Sequence, residues 1–75
     1  MTLEEAVWKD ADRLSGALCF RGTRIPVSTL FIHMESGQIQ EFYLDFPDVT
    51  PEMVKVVLEA SRELLELKFG GDAAA

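Results

Sequence analysis

The 75-residue chain holds one cysteine and one histidine, and those two scarcities remove whole classes of chemistry. With Cys19 alone no internal disulfide can form, and no Cys/His cluster is present to staple a small fold with zinc. Cys19 stands in an apolar strand-like run and reads as a packing residue, not an activated thiolate. His33 has no acid three or four residues away to orient it as a general base. The sequence therefore presents no catalytic constellation, no metal site and no cofactor site. Long hydrophobic runs are missing too. The longest uncharged stretch, Ile25 to Met34, is broken by Pro26, Ser28, Thr29 and His33, too short and too polar to span a bilayer. No charged-then-apolar leader opens the chain, so the expected location is the cytoplasm.

Positive charge is scarce as well: seven Lys and Arg stand against thirteen Asp and Glu, for a net charge of −6. Its distribution is uneven. Residues 1–12 carry four acids against Lys9, and residues 35–75 carry nine acids against Lys55, Arg62 and Lys68. Between them, residues 13–34 hold Arg13, Arg21 and Arg24 with no acid. An acidic chain gains nothing on average from neutralising phosphates, so nucleic-acid binding would have to use that middle segment. A homodimer with the two segments side by side would double its charge; the plainer alternative is three arginines on a solvated loop.

What is present is enough for one folded domain, expected over residues 1–71 with a frayed tail at 72–75. Hydrophobic residues make up 48% of the chain and charged ones 27%, which is not a disordered composition. A domain this small buries only about 60% of its unfolded surface, so it often completes its burial against a partner. Thr2-Leu3-Glu4-Glu5 matches a capping box and predicts a short helix through Val7 or Trp8. Asp10 to Gly16 reads as turn and loop. The runs Leu18-Cys19-Phe20 and Arg24-Ile25-Pro26-Val27 predict a β-hairpin over about 17–27, with Gly22 first in a two-residue type II′ turn. Pro26 has no N–H for a ladder and should mark the edge or end of the second strand.

Three helices are then predicted, at about 28–36, 38–46 and 50–68. Ser28 would cap the first and Gly37 end it. Ile39, Phe42, Tyr43 and Phe46 keep helical spacing in the second, which Pro47 closes. Thr50, Pro51 and Glu52 make a clear start to the third, with Val49 and Val54 as a hydrophobic staple. Its apolar stripe covers about half the circumference, beyond the ~100° that a surface helix needs. Met53, Val56, Ala60 and Leu67 form the surplus and, with Leu64, are the candidate interface residues, pointing to a homo-oligomer; the alternative is a long terminal helix wrapped by the hairpin and Trp8.

With the elements placed, Ser15-Gly16-Ala17-Leu18-Cys19-Phe20-Arg21-Gly22-Thr23-Arg24-Ile25-Pro26-Val27 resembles the signature of the bacterial domain-of-unknown-function family 433. The similarity runs on through Leu30-Phe31, Glu35-Ser36-Gly37, Glu41-Phe42, Asp45-Phe46-Pro47 and Val49-Thr50, about residues 7–66. Leu18 stands where the family often has proline, and Gln38 where serine often caps the second helix. The resemblance implies a mostly α fold, an N-terminal β-hairpin followed by a three-helix homeodomain-like helix–turn–helix bundle. It also implies an antitoxin role, paired with a toxin of the PIN-like nuclease type; the chain's own operator DNA is a second candidate partner.

The residues narrow that implication. In a helix–turn–helix the start of the second motif helix enters the major groove, yet here it offers Glu52, preceded by Asp45 and Asp48, with Lys55 the only cation nearby. The basic hairpin is the better candidate, because two-stranded ribbons also read the groove. Arg21 and Arg24 could equally enter the carboxylate-lined metal site of a nuclease and block it. A third use is structural, with Arg24 hydrogen-bonding helix-end carbonyls to fix the hairpin. The candidate contact residues are thus Arg21, Arg24 and Lys55, with Gly22 and Pro26 shaping the turn. Three readings stand: an antitoxin-like dimer that neutralises a nuclease, an adaptor module without nucleic-acid binding, and a stand-alone DNA-binding regulator.

Overall fold

The computed structural model describes residues 1–9 and 16–70. Residues 10–15 of the loop expected at Asp10–Gly16, and the expected tail at 72–75, lie outside those residues. The chain opens with a single helical turn, α1 (Leu3–Ala6), and passes directly into β1 (Val7–Lys9). β2 (Leu18–Phe20) follows, and then α2 (Val27–Glu35), α3 (Ile39–Asp45) and α4 (Pro51–Phe69). The domain is mostly helical, with a two-stranded antiparallel hairpin near its N-terminus. No helix among the described residues is long and apolar enough to cross a membrane.

The capping box forms as the sequence predicts. Thr2 Oγ1 accepts from the Glu5 N–H at 3.3 Å, and Glu5 Oε1 accepts from the Thr2 N–H at 2.8 Å. The Thr2 backbone and side-chain hydrogen bonds hold the Glu5 carboxyl below its ordinary range. Its contribution is present above that range and is lost as the pH falls through the lowered value. The helix stops at Ala6, earlier than expected, because β-branched Val7 (φ −134°, ψ 159°) and Trp8 turn extended.

Those two residues correct the hairpin. The partner of Leu18–Phe20 is β1, in the register Val7 with Phe20, Trp8 with Cys19, and Lys9 with Leu18. The expected second strand at Arg24–Val27 shrinks to one bridge between Cys19 and Pro26. Proline supplies no further donor, and at φ −63° and ψ 143° Pro26 serves instead as the N-cap residue of α2, its carbonyl accepting from the Thr29 N–H. Ser28, expected as the cap, therefore lies inside the helix. At the other end of α2, Gly37 (φ 72°) closes a Schellman motif, in which the Gln38 N–H reaches the His33 carbonyl at 2.7 Å.

The turn after β2 also differs from expectation. The Thr23 N–H donates to the Phe20 carbonyl at 3.0 Å, so Gly22 (φ 79°) is the third residue of the turn and not the second. That is where a type II turn requires positive φ. α4 begins as predicted, with Thr50 Oγ1 accepting from the Met53 N–H at 3.2 Å and Val49 and Val54 both buried.

The core lies where the hairpin meets the helices. Phe20, Leu30 and Phe42 are fully buried, with Ala6, Val49, Met53, Val54 and Val57 around them. The Phe20 and Phe42 rings are 6.1 Å apart, and Phe42 also meets His33, Tyr43 and Phe46. Met53 is thereby removed from the expected interface. It is 6% exposed and belongs to the domain's own core.

Gly22 tests the turn. A Cβ there meets no atom within 4 Å, so at φ 79° it is backbone strain that opposes it. Gly22→Val should cost on the order of 1 kcal/mol or more, lowering the melting temperature by roughly 4–8 °C per kcal/mol. Thermal denaturation followed by circular dichroism measures it.

Candidate protein-interaction surface

The turn between β2 and α2 is built from its own hydrogen bonds. The Phe20 carbonyl accepts both the Thr23 N–H and its hydroxyl, while Thr23 Oγ1 accepts the Ile25 N–H at 3.0 Å. The indole N–H of Trp8 donates to the Thr23 carbonyl at 3.1 Å, tying the turn to β1. Arg21 ties it to α1: its backbone N–H donates to the Ala6 carbonyl at 2.8 Å and its side-chain Nη2 to the Glu4 carbonyl at 2.6 Å. The guanidinium lies 5.7 Å from the centre of the Trp8 ring, within cation–π range.

The two arginines thus separate. The helix-end role considered for Arg24 is filled by Arg21, whose guanidinium holds the Glu4 carbonyl of the one-turn helix. Arg24 is exposed and makes no hydrogen bond or ion pair among the described residues. Lys55 stands apart on α4, beside a shallow groove of about 400 Å³ formed with Tyr43, Val54, Leu58, Glu59 and Arg62.

A second, more apolar groove of about 310 Å³ opens where the hairpin, α2 and α4 converge. Leu3, Leu18, Phe31, Val57, Ala60 and Leu64 line it. Of the expected interface, Ala60 and Leu64 belong here, while Val56 packs beside the core. Leu67 lies further along α4, beside Glu63 and Glu66. Beyond Ser61 the helix outruns the body that covers it, and Leu64, Leu65, Leu67 and Phe69 are 60–81% exposed. Leu3, Leu18 and Phe69 were not among the expected interface residues. Leu3 and Leu18 sit in segments whose facing the sequence pattern leaves open, and Phe69 reads as a helix end.

The isolated chemistry-bearing residues are occupied structurally. His33 Nδ1 lies 2.8 Å from the Thr29 carbonyl, and its ring stands edge-on to Phe42 and Phe46. Cys19 is buried, its thiol pointing to the Ala17 carbonyl at 3.6 Å. No group of three side chains suited to a metal occurs among the described residues. At the start of α4, Glu52 is exposed and lies 3.8 Å from the amino group of Met1. Asp45 and Asp48 are exposed just before it.

Residues 7–59 match the family model described as Protein of unknown function (DUF433). The chain belongs to this family. No curated protein and no solved structure matches it. The DUF433 match begins at β1 and ends within α4, so it contains the clamped turn, while α1 and the exposed end of α4 lie outside it.

The division between the arginines is measurable. Arg21→Ala should lower the melting temperature, because a charged hydrogen bond contributes about 1 kcal/mol or more. Arg24→Ala should leave it within about a degree, as surface changes away from contacts usually do.

Proposed function

We propose that this DUF433 domain is a non-enzymatic, antitoxin-like protein that self-associates through α4 and neutralises a PIN-like nuclease, acting in the cytoplasm. The nuclease partner comes from the family resemblance; what this chain adds is a means of binding. The observation that carries the reading is the uncovered apolar face of α4, continuous with the groove at Ala60 and Leu64. Burying a leucine-sized side chain stabilises by roughly 1.5–3 kcal/mol, so covering several favours association strongly. Arg24 supplies the second element. It extends from a turn held by Arg21, Trp8 and Thr23, and its unengaged guanidinium can take two oxygens of a carboxylate cluster. In a dimer the paired turns are also the candidate contact with operator DNA.

The adaptor reading has its own support in the exposed Glu52, Asp45 and Asp48 at the start of α4, which repel phosphate. A stand-alone DNA regulator is supported least, for the same reason.

The test is whether the gene beside this chain's encodes a PIN-like nuclease and whether this chain inhibits it, with wild type and Arg24→Glu compared. Wild type should inhibit, and the variant should lose inhibition by roughly 30-fold or more, the cost of breaking a desolvated charge pair, with an unchanged circular dichroism spectrum. Full inhibition by Arg24→Glu would remove the turn from the site. Failure of wild type to inhibit would favour the adaptor.

A further inference from the structure

On α4, Met53 and Val57 are buried in the domain's own core, and the same stripe continues through Ala60, Leu64 and Leu67. The steps between these positions are four, three, four and three residues, the a/d repeat of a two-stranded coiled coil. The first half of the seam is satisfied internally; the second half is bare, with Leu64 and Leu67 exposed. In that repeat Glu63 takes the g position and Lys68 the e position, so they border the bare seam on opposite sides.

These borders have opposite charge and are not paired with each other. Arg62 and Glu66, on the outer face, form their own i,i+4 pair at 3.6 Å. Glu63 makes no ion pair among the described residues, and Lys68 Nζ approaches only the Phe69 ring, at 5.9 Å. In a chain of net charge −6, residues 62–69 carry two cations and two acids and are neutral. Two copies of this segment can therefore approach without the repulsion that the rest of the chain would impose.

We propose that the occupant of this seam is the α4 of a second copy, lying parallel, with Glu63 of each copy against Lys68 of the other. Orientation follows from the borders. A parallel pair sets the g edge of one helix against the e edge of the other, joining carboxylate to ammonium twice by symmetry. An antiparallel pair sets like edges together and opposes carboxylate with carboxylate. A partner of uniform charge would gain along one border and lose along the other, whereas a second copy is complementary on both. This inference rests on the self-association proposed above and adds its segment, its orientation and its charge pairs.

Sedimentation equilibrium of the full chain at low salt tests it with Glu63→Lys, Lys68→Glu and the double exchange. Each single change makes both borders alike and should raise the dimer dissociation constant roughly five- to tenfold. The double exchange restores opposite borders and should return the constant to within about twofold of wild type. A dimeric wild type whose singles are unchanged, or whose double is no better than the singles, would overturn the parallel seam and leave self-association standing. A wild type that remains monomeric at roughly tens of micromolar would overturn self-association and the seam together.

Discussion

The contact between Phe20 and Phe42 joins the two parts of this molecule. Phe20 ends β2 and Phe42 lies at the centre of α3, and both rings are wholly removed from solvent. A hairpin of three paired positions is not stable alone, and neither is a seven-residue helix. Each supplies the surface that the other needs. Around the pair, Leu30 of α2 and Val54 and Val57 of α4 complete the core, so shortening either ring would leave a cavity at its centre.

That small core explains why the edge of the molecule is built from hydrogen bonds. Arg21 and Trp8 hold α1, β1 and the turn together through carbonyls of Glu4, Ala6 and Thr23. Their engagement leaves Arg24 as the cation of that turn still available to another molecule. Of two arginines three residues apart, one is engaged within the domain and the other is exposed and unengaged. The core also explains the bare end of α4: the body is wide enough to cover the helix to about Ser61, and the apolar spacing continues past it.

Much of this was legible in the sequence. Thr2 with Glu5, Thr50 with Pro51, and Gly37 each announce a helix end through local chemistry, and each forms as read. The family signature and the excess of apolar surface on α4 were legible as well. The pairing of β2 was not. Val7–Lys9 is a three-residue strand directly after a helical turn, and β-branching at Val7 is too weak a local signal to separate it from a continuation of that turn. Pro26 misled because a strand end and a helix N-cap share the same extended backbone. The roles of Arg21 and Arg24 could not be separated either, since the choice depends on carbonyls of α1, seventeen residues earlier in the chain for Arg21. The burial of Met53 is not legible either, because helical spacing gives the face of a residue and not how far the body extends across it.

The central claim is that the end of α4 is covered by another chain. Hydrogen exchange of the backbone amides of residues 62–69, followed over a dilution series of the full protein, tests this most directly. A helical end without packing opens readily and exchanges fast, whereas buried helices approach global protection. The account predicts strong protection of these amides at high concentration that is lost on dilution, while Phe20, Phe42 and Val54 remain protected throughout. Fast exchange of residues 62–69 at every concentration would contradict it.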